Sequence, residues 1–172
     1  AHYAGTPNDV AAGDVDPNNP PNVGNVEGPG ATAKFALVGR MTIDANDNLY
    51  VWDEGNDSIR KIASDVDHTV STLIDNVGDG GGSLMALNVL GANLYVFGKA
   101  SNDLFITEVP LAGGVPVDVL RGRADLFGGA SSDSQILGGI VNDGALTIVA
   151  VLSNDRNAAF VPLPRSIGAR GN

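Results

Sequence analysis

The segment Asn48-Leu49-Tyr50-Val51 recurs forty-five residues later as Asn93-Leu94-Tyr95-Val96. This self-similarity restricts the fold more than any other feature of the chain. A looser third copy, Ala145-Leu146-Thr147-Ile148-Val149, starts 52 residues after the second. Each copy is followed by an Asn-Asp pair: Asn56-Asp57, Asn102-Asp103 and Asn154-Asp155. Asn and Asp tolerate left-handed backbone and bond to their own turns, so each pair predicts a hairpin tip. Beyond the tips, apolar strands are predicted over 59–62, 104–109 and 158–163. The first two copies continue with strands over 69–74 and 115–120. Few windows hold apolar residues at helical spacing without an intervening Gly, Pro or Asn. The 23 glycines and 9 prolines among 172 residues supply many turns between short strands. Four short strands in a unit of about 40 to 50 residues is the pattern of a propeller blade. A two-sheet sandwich would also give short strands, but it would not require the repeat.

The expected fold is therefore all-β, with three four-stranded antiparallel blades of propeller type. Residues 1–26 form an N-terminal strand and a Pro/Gly/Asn-rich link; the blades occupy 27–80, 81–125 and 126–172. The first blade resembles an NHL repeat. Glu27-Gly28-Pro29-Gly30-Ala31-Thr32-Ala33-Lys34-Phe35 is similar to that family's lead-in. Met41-Thr42-Ile43-Asp44 and Asn46-Asp47-Asn48-Leu49-Tyr50-Val51-Trp52-Asp53 are similar to its first two strands and their turn. Gly55-Asn56-Asp57-Ser58-Ile59-Arg60-Lys61-Ile62 matches its tip and third strand, and Thr69-Val70-Ser71-Thr72-Leu73 stands where the outer strand belongs. The match covers residues 27–75; the second copy fits loosely and the third only in pattern. Such folds host binding modules and enzymes alike, so the resemblance implies architecture more than activity.

Closed propellers need about four to eight blades, and three are legible here. Tyr3-Ala4-Gly5-Thr6-Pro7 reads as the outer strand of a preceding blade. After the third copy reaches Val161-Pro162-Leu163, residues 165–172 make a poor fourth strand because of Gly168 and Gly171. An uncovered edge invites strand pairing. The expectation is completion by exchange with another copy, in a closed ring or a filament. Tyr3, Ala4, Gly5 and Thr6 would pair with the edge at Phe160, Val161 and Leu163 of a neighbour. A fragment of a longer propeller is the competing reading.

The net charge of -10 argues against nucleic acid, which demands a cationic face. No apolar run is long enough to span a bilayer. The absence of cysteine removes disulfides and thiolate chemistry. A start at Ala1 fits signal-peptide cleavage, so secretion to the cell surface or beyond is expected. Residues 1–80 carry thirteen acids and four bases, the remainder seven and six, an asymmetry that suits head-to-tail docking as well as solvation.

Candidate chemistry is sparse. Only His2 and His68 are present, and no nucleophile-elbow, zinc or phosphate-loop motif occurs. A non-catalytic protein without a cofactor is expected; the alternatives are a glycan- or peptide-binding propeller domain and an NHL-type metal-dependent lyase or hydrolase. Asp14, Asp16 and Asn18 place oxygen ligands at alternate positions, as calcium loops do. Asp44, Asn46 and Asn48 share that spacing, but an ordinary hairpin turn accounts for them. Asn56-Asp57-Ser58 is a glycosylation sequon at a tip expected to be exposed. Tyr50 and Trp52 read as core residues, with a sugar-stacking platform as the alternative.

Overall fold

The computed structural model describes Ala4 and residues 23–77, 83–100, 103–123, 135–142, 145–152 and 157–162; beyond Arg121 the description is of backbone alone. The chain divides into two compact units, residues 1–77 and 78–172. The described residues are all-β. Eleven strands and one 3-10 turn make two four-stranded antiparallel sheets and one three-stranded sheet.

In the first unit, β1 (Val38–Ile43), β2 (Leu49–Asp53), β3 (Ser58–Ile62) and β4 (Val70–Asp75) pair in sequence order. Consecutive strands pair because each turn is too short to let the chain reach any other edge. The turn at 44–48 has Asp47 in the left-handed region, φ 62°. The Asn56-Asp57 tip is a 3-10 turn, Glu54–Asn56, closed by Asp57 at φ 50°. His68, also left-handed at φ 48°, lies in the turn before β4. These are the polar residue types that adopt this conformation at least cost.

Side chains alternate across a strand, so Val51 and Leu49 share one face with their direct neighbours Met41 and Ile43. On this face Val51, Ile62 and Val70 are buried with Ala33, and Phe35, Leu49 and Ala4 pack against them. The lead-in from Val23 to Leu37 crosses the face, held by backbone bridges from Val23 to Phe35 and from Val26 to Lys34. It also pairs with the outer edge: Gly28 and Val70 exchange hydrogen bonds of 3.0 and 2.7 Å. The opposite face carries Tyr50, Trp52 and Ile59, all at most 3% exposed. Burial of both aromatics corrects the stacking-platform alternative, since neither ring has a face open to a sugar.

The second unit holds β5 (Ser83–Leu90), β6 (Asn93–Ala100), β7 (Asp103–Pro110) and β8 (Val117–Arg123), again paired in order. A two-residue turn with Gly91 at φ 58° joins β5 to β6. Leu94, Val96, Phe97, Leu104, Phe105, Ile106 and Val109 are essentially inaccessible. They fall on both faces of β6 and β7, so this sheet is covered on both sides. The third sheet is β9 (Gln135–Asn142), β10 (Ala145–Leu152) and β11 (Asn157–Pro162), with β10 central. Within the unit β9 lies against β5 and β6. The two four-stranded sheets meet the expected blade pattern; the third shows three strands among the described residues.

Candidate functional site

Two kinds of feature on the first sheet are candidates: its buried polar groups and the uncovered part of its apolar face. The polar groups come first. Asp53 ends β2 and Arg60 stands in β3, both fully buried, with Arg60 Nη1 3.3 Å from Asp53 Oδ2. The guanidinium also donates to Asn25 Oδ1 at 2.6 Å and to the Val26 carbonyl at 3.3 Å. Its Cζ lies 5.5 Å from the centre of the Phe35 ring. Asp53 Oδ1 accepts the Ala36 N–H at 2.8 Å. Every one of these partners lies in the lead-in, so the ion pair ties that segment onto the sheet. A buried charge is tolerated when paired and hydrogen-bonded, and removing one member typically costs about 3–5 kcal/mol.

Asn56 belongs to the same network. Its amide nitrogen donates to the Gly24 carbonyl at 2.9 Å and to Asp53 Oδ2 at 2.7 Å. An amide nitrogen has two hydrogens, so the atom a glycan would occupy is fully engaged. The sequon at this tip is thus half-buried and serves the fold, where exposure was expected.

Asp44 forms a second centre. Its Oδ1 accepts the N–H groups of Asn46 and Asn48 at 2.8 and 2.9 Å, closing the turn. Its Oδ2 accepts Asn48 Nδ2 at 2.8 Å and the Tyr50 hydroxyl at 3.0 Å. Burial pushes the Asp44 carboxyl up, but these four donors outweigh it and hold the group below its ordinary value. Burial, and then the Asp44 hydrogen bond and charge, push the Tyr50 hydroxyl well above its own. Asp44 and Asn48 therefore form a turn of the chain's own making, as the hairpin reading expected.

The repeat reproduces this clamp from a different source. Asn93 Nδ2 and the Tyr95 hydroxyl donate to the two oxygens of Glu108 at 2.9 and 3.0 Å. Asn93 and Tyr95 correspond to Asn48 and Tyr50, yet their acceptor comes from β7. The cause is turn length: the two-residue turn before β6 leaves no position for an Asp, and Glu108 is the direct cross-strand neighbour of Tyr95. As a sequence pattern the Asn-x-Tyr repeat marks a strand and does not by itself indicate a clamp. The repeated spacing marks the two donors, Asn93 and Tyr95, and leaves the acceptor Glu108 unmarked.

Of the expected assembly residues, Ala4 packs on the first sheet's core with Ala33, Val51, Ile62 and Val70. Phe160 and Val161 stand in β11, paired with Val149 and Ile148 of β10. Among the described residues β11 pairs with β10 alone. Tyr3, Gly5, Thr6 and Leu163 lie outside the described residues, as do Asp14, Asp16 and Asn18 of the suggested calcium loop. Among the described residues no group of three or more His, Asp or Glu is arranged to hold a metal ion. No helix there is long and apolar enough to cross a membrane.

The apolar face is incompletely covered. Met41 and Ile43, on the same face as the Val51 core, are 59% and 53% exposed. The sequence predicts a first strand here, and nothing in its local pattern marks Met41 and Ile43 as exposed.

No protein-family model matches the chain, and no curated protein matches it. Among solved structures it is similar to a structural genomics protein of unknown function from Bacteroides thetaiotaomicron VPI-5482. The TM-score is 0.53 at 17% identity, over 80% of this chain and 34% of that one. At this identity the likeness concerns the fold alone. The chain spans about a third of that protein's length.

Proposed function

We infer that the chain is a non-catalytic, extracellular structural module built of NHL-type blades, which self-assembles by adding residues 3–6 to the β11 edge of another copy. The observation that carries this reading is the seat of Ala4. Ala4 packs against Val51, Ile62 and Val70 on the apolar face of the sheet, whereas a fifth strand of the same sheet would lie along its edge. The β4 edge that a fifth strand would use already bonds to Gly28. Among the described residues β11 stands at the edge of the third sheet, a partner of the right kind. Strand addition satisfies backbone groups that an open edge leaves to water. The internal use of Asp44, Asp53, Asn56 and Glu108 as structural ties supports a scaffold role.

The chain has no cysteine, which makes disulfide trapping clean. In a variant carrying Thr6→Cys and Val161→Cys, mild oxidation should yield linked dimers and longer ladders, while either single change yields dimers at most. Exclusively monomeric protein after oxidation of the double variant would sink the reading.

A further inference from the structure

Resting on that reading, we propose that the bare part of the first sheet's apolar face, Met41 and Ile43 on β1, is the seat for β9 and β10 of a second copy. Three observations lead there. Met41 and Ile43 continue the row of buried Val51 and half-buried Leu49 outward, yet are more than half exposed. Ala4 packs on the same face against the cluster of Ala33, Val51, Ile62 and Val70, while the region at Met41 and Ile43 stays open. The second unit supplies the packing rule, because there the first strand of one sheet, β9, lies against the first two strands of the sheet before it, β5 and β6. Applied to β1, that rule puts the first two strands of the preceding sheet, β9 and β10, on Met41 and Ile43. If residues 3–6 complete the β9–β11 sheet of another copy, its β9 and β10 arrive at this face together with the strand.

An apolar pair at this position stabilises the contact by leaving water, and charged replacements oppose it by desolvation. The test places Met41→Lys and Ile43→Lys in the Thr6→Cys, Val161→Cys background and measures disulfide-linked product at limiting protein concentration. Both side chains are exposed in the isolated chain, so circular dichroism and the melting temperature of the dilute monomer should stay unchanged. The expected result is a fall in linked product of about tenfold, a difference that corresponds to one decade of affinity. Recovery with Met41→Leu and Ile43→Val in the same background would support an apolar seat. Equal yields with and without the lysines would overturn the seat while leaving strand addition standing. A lowered monomer melting temperature with unchanged yield would assign the face to the chain's own fold and overturn it too. Absence of linked product even without the lysines would remove strand addition, and the seat with it.

Discussion

At Tyr50 and Tyr95 a single hydroxyl has two jobs, filling space in a packed sheet and satisfying a carboxylate. A hydrogen bond to a charged group is worth roughly 1.5–3 kcal/mol when one partner is deleted. Both hydroxyls are held above their ordinary value near 10, by burial first and then by Asp44 or Glu108. A phenol whose folded value is raised keeps its proton in the fold after the unfolded chain has lost it. Its contribution is therefore complete below pH 10 and declines as pH rises through the raised value. Thermal melts between pH 8 and 12 should show stability falling above about pH 10. In the Tyr50→Phe, Tyr95→Phe double variant, stability at neutral pH should drop by about 3–6 kcal/mol if the two sites act independently, with a shallower alkaline slope. An unchanged slope in that variant would mean that other groups set the alkaline limit.

Within the second sheet, element geometry makes its own demand on one residue. Phe105 of β7 lies directly across from Gly98 of β6, and a β-carbon at 98 would overlap its ring. The ring cannot readily swing away on the other side, because the Arg121 guanidinium of β8 lies 5.4 Å from its centre. Arg121 is itself fixed by Asp118 at 2.7 Å, and Asp118 also accepts the Thr107 hydroxyl at 2.7 Å. Three strands are thus locked around one aromatic. Gly98→Ala should destabilise the protein by about 1–3 kcal/mol, the usual range for overpacking, as read from urea denaturation midpoints. A midpoint equal to that of the unaltered protein would show that Phe105 can repack. Turn length acts at the same scale. Five residues before β2 make room for Asp44, whereas two before β6 transfer the acceptor role to Glu108.

For the molecule as a whole, residues 3–6 belong by the proposed assembly to a neighbour's sheet, and Ala4 among them also packs on its own first sheet. Deleting residues 1–8 should then abolish higher-order particles in light scattering and negative-stain images. The Ala4 methyl that this removes from the first sheet's core is worth about 0.8 kcal/mol at most. Circular dichroism of the truncated chain should keep its β signature. Particles of unchanged mass after the deletion would reject strand addition at this end.

The sequence by itself determined what depends on neighbours along the chain. Asn-Leu-Tyr-Val at two positions, with an Asn-Asp pair after each and Gly, Asp or Pro breaks between strands, is enough to predict strands, their order and the four-stranded sheets. Alternation and turn preference are local properties, and consecutive pairing follows from short turns. What the tertiary structure decided depends on residues far apart in sequence. That Asn56 is half-buried at the 3-10 tip depends on the Gly24 carbonyl, thirty-two positions away, to which its amide donates. Nothing local shows that Arg60 is inaccessible, that Glu108 replaces Asp44, or that Met41 and Ile43 are left bare. Burial and pairing of polar groups are settled by which segments cross which face, and a linear pattern carries no term for that.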